Sequence, residues 1–390
     1  MHLDDPDLGT LGEREWPAVL DYADRERVTL ALRDTCRGRM PARVRDRVDL
    51  DAVKNQVRLE GIAETYRKLS EWLSRESLDF IFLKGMTHGG AFGLPAESRV
   101  QYDIDLWLPR DHAVRAQSLL IARGYEAMPG TEELPTDHLP ALALKTGWQW
   151  RGDFFDPEIP LPVELHVQFW NEKQERFAAP GTDDFPRRRT AWPALHPADA
   201  AAYAALHVLR HVLTGSVRIF HIYELAAMLH ARSSDAAFWT EWRSLHPSEL
   251  RRLEALSFQL AREWFGGSVA PIVEVEIAGL PRAQQAWFRT FALSPATLGF
   301  HPNKDHLWLH LTLLNSRRDA WHVAMQRILP RSLPTAAGDA FVAKNDLGWR
   351  DWLRWRLRWM SYAAGRALHH TRALPAVIGS GAHWWWRTRR

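Results

Sequence analysis

The chain has 390 residues, 46% hydrophobic and 25% charged, which suits a packed globular protein of two or three cooperative units and excludes wholesale disorder. Fifty Lys and Arg stand against 47 Asp and Glu, a formal charge of +3, so the concentrated basicity of a dedicated nucleic-acid binder is missing. A single cysteine, Cys36, excludes an intramolecular disulfide and a multi-cysteine zinc site, and leans toward a reducing compartment.

The start, Met1-His-Leu-Asp-Asp-Pro-Asp7, has neither the basic nor the apolar segment of a secretory signal. No apolar run approaches the roughly 20 residues needed to cross a bilayer. A soluble, cytoplasmic protein is therefore expected. From Glu13 to about Ser77 the pattern is helical, with Val53, Val57, Leu59, Ile62, Tyr66, Leu69 and Leu73 recurring near helical spacing. Asp79-Phe-Ile-Phe-Leu83, ending in Lys84-Gly85, predicts a buried strand with a tight exit. The small-residue stretch to Gly93 predicts a short helix that starts where this strand ends.

Asp103-Ile-Asp-Leu-Trp-Leu108 predicts a second strand, and Val114 to Ile121 an amphipathic helix closed by Gly124. Pro129 to Pro162 is loop-rich, with strand character near Ala141 to Leu144 and Trp148 to Trp150. Alternation in Val163-Glu-Leu-His-Val-Gln-Phe169 puts Val163, Leu165, Val167 and Phe169 on one face and Glu164, His166 and Gln168 on the other. From Asp199 helices dominate, interrupted at Pro271, Pro281, Pro295, Pro330 and Pro334. The expected division is 1–77 as an N-terminal helical region, 78–190 as a catalytic core and 191–390 as a helical C-terminal region.

Asp103 and Asp105 sit at i and i+2 on a strand and project from one face, anchored by Ile104 and Leu106. Such a pair can bridge hard cations, and Mg2+ is typically held by one or two carboxylates plus substrate phosphates. With a third acid on a neighbouring strand the set fits two-metal phosphoryl chemistry. Upstream, Lys84-Gly85 at a strand exit offers backbone N–H groups and a point charge to phosphate. Gly85, Gly89 and Gly90 are equally open to a packing role.

Leu83-Lys84-Gly85, Phe92, Arg99, Asp103-Ile-Asp-Leu106, Gly124-Tyr125 and Val163-Glu-Leu-His166 occur in an order and spacing that resembles the bacterial uncharacterised nucleotidyltransferase family of the DNA polymerase beta superfamily. His207, His211, Arg218 and Glu224 continue the resemblance, with Phe92 and Glu224 standing where Tyr and Asp are commoner. The resemblance covers about Ala52 to Leu229 and implies an α+β nucleotidyltransferase-fold mixed sheet flanked by helices. It implies transfer of NMP from an NTP, ATP by default of abundance, to a hydroxyl or similar group of an acceptor that the sequence does not specify. Asp103, Asp105 and Glu164 would be the catalytic carboxylates and bind Mg2+, or Mn2+. Gly85 would line the nucleotide site with Lys84 nearby, and Arg99 would contact phosphate or brace the Asp-bearing strand.

His166 shares a strand face with Glu164 and is a candidate neighbour of the site. His207 and His211 have the i, i+4 spacing of a zinc pair, but Val208 stands where a metalloprotease carries Glu, so they are expected to support the site or the core by hydrogen bonding. Near the end, Trp349, Trp352, Trp355 and Trp359 share a helical face while Arg350, Arg354 and Arg358 line another. This helix is open to three uses: a membrane surface, a macromolecular partner, or packing on the helical region. His383-Trp-Trp-Trp-Arg-Thr-Arg-Arg390 is a candidate exposed docking tail. The alternative to an enzyme is a non-catalytic protein of the same fold that binds through this Trp/Arg surface.

Overall fold

The computed structural model describes residues 10–128, 137–298, 300–301, 303–328 and 349–389. Three helices lead in: α1 (Trp16–Arg25), α2 (Thr29–Cys36) and α3 (Ala42–Arg75). The buried stripe of α3 is Val48, Asp51, Asn55, Arg58, Ile62, Tyr66, Leu69 and Leu73, steps of three and four that keep one face inward. Val53 and Val57, expected in the apolar row, are instead 62% and 53% exposed. The inward seats go to polar residues because these hold a loop. Asn55 Nδ2 donates to the carbonyls of Glu97 (2.8 Å) and Arg99 (3.2 Å), while Arg58 donates to those of Gln101 (3.1 Å) and Ile159 (2.7 Å). Carbonyls that would otherwise be buried without a donor are thus satisfied by side chains from one helix.

The sheet contains β1 (Ile81–Phe82), β2 (Ile104–Trp107), β3 (Tyr125–Ala127), β4 (Leu142–Leu144) and β5 (Val163–His166), in the order β1-β2-β5-β4-β3. Only β2 and β5 run parallel; the other pairs are antiparallel, so the sheet is mixed and the chain is α+β, as expected. One face is covered by α4 (Arg110–Ile121), whose Ala113, Ala116 and Leu120 pack with Leu106, Leu142, Val163 and Leu165, and by Tyr66, Leu69 and Leu73 of α3.

Several expected elements are shorter. The stretch after β1 forms two 3-10 turns, Gly85–His88 and Gly90–Phe92, rather than a helix. β5 stops at His166, and Phe169 leaves the alternation to stack on Trp107 at 5.4 Å between ring centroids. Trp148–Trp150 forms no strand: Trp148 donates to Asp156 (2.8 Å), and Trp150 packs edge-on against Phe154, folding the loop on itself.

The C-terminal region begins with α5 (Glu172–Glu175), α6 (Pro197–Thr214), α7 (Ile219–Ala231), α8 (Ala236–Leu245) and α9 (Ser248–Phe265). Their core joins Leu206, Leu225, Trp242 and Phe258 to Ile81, Leu83 and Phe92, so one hydrophobic cluster crosses the boundary expected near residue 190. Helices Pro271–Ala278 and Arg282–Phe291 start at or just after the prolines that were expected to interrupt the pattern. Pro330 and Pro334 lie outside the described residues. The last helix, Trp349–Arg389, buries Trp355 and packs Trp384 near Phe291, but leaves Trp349 72%, Trp352 45% and Trp359 40% exposed. The tail is therefore helical through Arg389, with Trp385 and Trp386 outward.

Within the helical region His246 is enclosed between Asp199 Oδ1 (3.0 Å from Nε2) and Glu254 Oε1 (2.9 Å from Nδ1). Burial alone would favour the neutral ring, but Glu254 and Asp199 outweigh it and lift the pKa to about 9. The folded value lies above the unfolded one of about 6.5. The stabilisation is therefore complete below that pH and lost as pH rises through about 9. Urea unfolding of the full chain should show an advantage over His246→Gln that shrinks across this window; an advantage constant from about pH 6 to about pH 10 would contradict the ion-pair account.

Candidate functional site

The parallel register between β2 and β5 sets Asp105 beside Glu164. In a parallel ladder, neighbours in register share a face, so Asp105, Glu164 and the next residue on that face, His166, gather on one side of the sheet. Ile104, Leu106, Val163 and Leu165 fill the other side and are fully buried. Asp105 is 1% exposed, whereas Glu164 and Asp103 are partly open. The candidate ligand atoms of Asp105, Glu164 and His166 all lie within 4.8 Å of one another. Asp103, one residue before β2, stands outside this closest group. It is near enough to act electrostatically on both Lys84 and Glu164, and Gln101 Nε2 fixes its backbone carbonyl at 2.6 Å.

Carboxylates crowded in a buried place repel one another unless cations intervene. Three do so here. Lys84 Nζ, at the exit of β1, lies 3.2 Å from Asp105 Oδ2. Burial works against its charge, but Asp103, Asp105 and Glu164 outweigh that and hold its pKa above the usual lysine value. His166 Nε2 lies 3.0 Å from Asp105 Oδ1 and 3.6 Å from Glu164 Oε2. Its Nδ1 lies 3.3 Å from Asp137 Oδ2. Although burial alone disfavours the imidazolium, Asp105, Asp137 and Glu164 raise the ring's pKa well above its ordinary value. Burial likewise pushes Glu164 upward, yet the His166 hydrogen bond and His138 leave it below the ordinary carboxylate value. The third cation is Arg210 of α6, whose Nη1 lies 2.5 Å from Asp137 Oδ2.

Asp137 and Arg210 carried no signal in the sequence. Asp137 is placed by backbone pairing alone: its carbonyl accepts from Val167 N–H (2.8 Å), and an isolated bridge joins His138 to His166. Neither a motif nor a periodicity marks such a residue. Arg210 is separable from the other arginines only once its ion pair with Asp137, 73 residues away in sequence, is seen.

The other expected residues fall on two sides. Gly85 has φ +75°, a conformation costly for a side chain, and a Cβ there would strike the Tyr66 hydroxyl and the Gln101 amide. Close packing thus accounts for the glycine. Arg99 Nε donates to Glu224 Oε1 at 2.7 Å, and His88 Nδ1 lies 3.3 Å from the other carboxylate oxygen. This geometry is that of a brace between the loop before β2 and α7. Burial raises the pKa of Glu224, but Arg99 and His88 more than reverse it, leaving it well below the ordinary range. His207 and His211 of α6 meet His221 of α7 close to Lys84. Burial, with Lys84 and the neighbouring rings, holds His207 and His221 far below the usual imidazole value; burial and Arg210 bring His211 to about 3. All three rings are neutral at ordinary pH.

The residues fit a hard divalent cation. Asp105 Oδ2 is a buried carboxylate oxygen that faces the Lys84 ammonium at 3.2 Å, a cation whose place a metal ion could take. Glu164 and Asp103 are partly exposed, and Asp103 lies near enough to act on Glu164, so both offer further oxygen ligands.

Removing the brace gives a direct test of its structural weight. Glu224→Ala leaves the Arg99 guanidinium without its carboxylate, and breaking a buried pair this way costs on the order of 3 kcal/mol. Chemical denaturation should show a loss of that size; a loss under about 1 kcal/mol would mean that Arg99 is not held by this pair.

A family model described as uncharacterised nucleotidyltransferase matches residues 12–266. No curated protein and no solved structure matches the chain. The matched stretch spans more than half of the sequence and includes Lys84, Asp105, Asp137, Glu164, His166, Arg210 and Glu224. The chain belongs to the uncharacterised nucleotidyltransferase family.

Proposed function

We propose that the protein transfers NMP from an NTP, with ATP as the default donor, to a hydroxyl of an acceptor molecule. The observation that carries this is the in-register pairing of Asp105 with Glu164 beside Lys84, on a mixed sheet in a chain of the nucleotidyltransferase family. Asp103, Asp105 and Glu164 would hold Mg2+, or Mn2+. When bound, the metal supplies charge neutralisation at the α phosphate and lowers the pKa of the attacking hydroxyl. In the transfer the acceptor hydroxyl gives up its proton to solvent, its oxygen bonds to the α phosphorus, the bond to the bridging oxygen breaks, and pyrophosphate leaves.

The chain's own residues divide the remaining work. Lys84, whose ammonium lies 3.2 Å from Asp105 at the strand exit, would meet triphosphate oxygens. His166 orients Asp105 and Glu164, and Asp137 with Arg210 fixes His166 in turn. Arg99 and Gly85 act chiefly by holding the Asp-bearing loop in place. The acceptor is a small molecule, a peptide or a protein. Supply of nucleoside triphosphates and Mg2+ agrees with a cytoplasmic setting, and among the described residues no helix is long and apolar enough to cross a membrane.

The exposed indoles of Trp349, Trp352 and Trp359 favour a second reading, in which the fold is kept for binding a membrane or a macromolecule and no transfer occurs. One experiment separates the two. The full chain is incubated with α-labelled NTPs, Mg2+ and a cell lysate. Label should pass to an acceptor and fall by roughly a hundredfold or more in Asp105→Asn, as expected when a group stabilising transition-state charge is lost. Label that persists in Asp103→Asn with Asp105→Asn sinks the site assignment, and no label together with no ATP-induced thermal shift favours the binding protein.

A further inference from the structure

The turn between α6 and α7 brings three imidazoles together. His207 and His211 are one helical turn apart on α6 and share a face. His221, the third residue of α7, completes the set. Ring centroids stand 4.4 Å apart for His207 and His211, 4.7 Å for His207 and His221, and 5.5 Å for His211 and His221. Their candidate ligand nitrogens all lie within 4.8 Å of one another. The i, i+4 spacing on α6 exposes only a pair, and a pair is weak evidence; the third ring depends on how the chain reverses. Gly215, at φ +67°, closes α6, and the Ser216 N–H bonds back to the His211 carbonyl at 2.9 Å.

The same turn orients a ligand. Ser216 Oγ lies 2.9 Å from His211 Nδ1, which leaves Nε2 of that ring for another contact. His207 Nε2 and His221 Nδ1 are buried and have no hydrogen-bond partner. Both nitrogens in this one cluster are thus open to a metal ion or a water. Beside them is a small cavity of about 10 Å3, room for the centre of one water, lined by Lys84, Tyr203, His207 and His221 among others.

We propose that His207, His211 and His221 bind a divalent metal of the zinc class, with water or a substrate group in the fourth position. Imidazole nitrogens suit zinc, whereas the carboxylates around Asp105 suit Mg2+ or Mn2+, so the two centres select different ions. Three protein ligands and one open position have the form of a reactive rather than a closed structural centre. A tetrahedral ion with bonds of about 2.0 to 2.1 Å brings its nitrogens to about 3.4 Å from one another, inside the 4.8 Å within which these three lie. Nearby cations are largely compensated. Lys84 faces Asp105 at 3.2 Å, Arg210 faces Asp137 at 2.5 Å, Arg218 faces Glu26 at 3.6 Å and Arg99 faces Glu224 at 2.7 Å, whereas Arg27 lies over the Tyr102 ring and keeps its positive charge toward the cluster. The net field on an entering ion is therefore weaker than a count of basic residues suggests.

The test uses the untagged full chain, stripped with chelator and titrated with Co2+ in the presence of excess Mg2+. The visible spectrum of tetrahedral Co2+ should saturate near one equivalent and be displaced by Zn2+. It should disappear in His211→Gln and in His221→Asn, and remain when Asp105→Asn is combined with Glu164→Gln. Absence of the spectrum in the wild type overturns the proposal, as does its survival in His221→Asn or its loss in the carboxylate variant alone. Should the histidine variants fail to fold, X-ray absorption of the zinc-loaded wild type decides: three imidazole nitrogens support the site, and a shell of carboxylate oxygens contradicts it. None of these readouts depends on nucleotide transfer.

Discussion

Parallel pairing of β2 with β5 forces the buried Asp105 and the partly exposed Glu164 side by side, and much of the rest of the protein answers that constraint. Like charges this close are destabilising unless opposite charge is brought to them. The compensating groups come from separate parts of the chain: Lys84 from the exit of β1, His166 from β5 itself, and Arg210 from α6 through Asp137. The helical C-terminal region is therefore part of the site's electrostatics and not an appendage. That also explains why its hydrophobic core runs without a break into Ile81 and Leu83 of the sheet.

The N-terminal helices carry out a second task, that of fixing the approach to the acidic strand. Buried Asn55 and Arg58 of α3 grip the carbonyls of the loop that ends in Asp103, and Tyr66 fills the space opposite Gly85. Ser98 donates to Asp34 of α2 at 2.6 Å, tying the same loop to another helix. Glu26, between α1 and α2, accepts from the Ile219 N–H at 3.0 Å, placing an acid at the N-terminus of α7 where the helix dipole favours it. The loop before β2 is thus clamped from both sides, by α3 beneath and by the Arg99–Glu224 pair at α7.

What was legible in the sequence was what obeys a short period. Asp103-Ile-Asp105 and Val163-Glu-Leu-His166 could be assigned to strands, and Glu164 and His166 to a common face, because alternation alone fixes those relations. The Gly85 turn was visible as a tight exit, but not its cause, since the atoms that forbid a side chain there come from residues 66 and 101. Val53 and Val57 misled for a related reason: hydrophobicity marks the inward face of a helix only when nothing polar is needed there, and α3 spends three inward positions on loop carbonyls and neighbouring charges. Asp137, Arg210 and His221 could not be found because each acquires its neighbours through chain reversal or backbone pairing over long separations. The Trp-rich last helix was half legible. Its amphipathic pattern predicted a helix, while burial of Trp355 beside exposed Trp352 and Trp359 depends on where the helix docks.

The central claim is that Asp105 and Glu164, with Asp103 at the rim, form the metal seat for a nucleoside triphosphate. It is tested most directly by the anomalous difference map of a crystal grown with Mn2+ and a non-hydrolysable ATP analogue. The account predicts Mn2+ between Asp105 and Glu164, in contact with the triphosphate, and Lys84 moved from Asp105 to a phosphate oxygen. Mn2+ bound away from both carboxylates, or a triphosphate ordered elsewhere while Lys84 stays on Asp105, would contradict it.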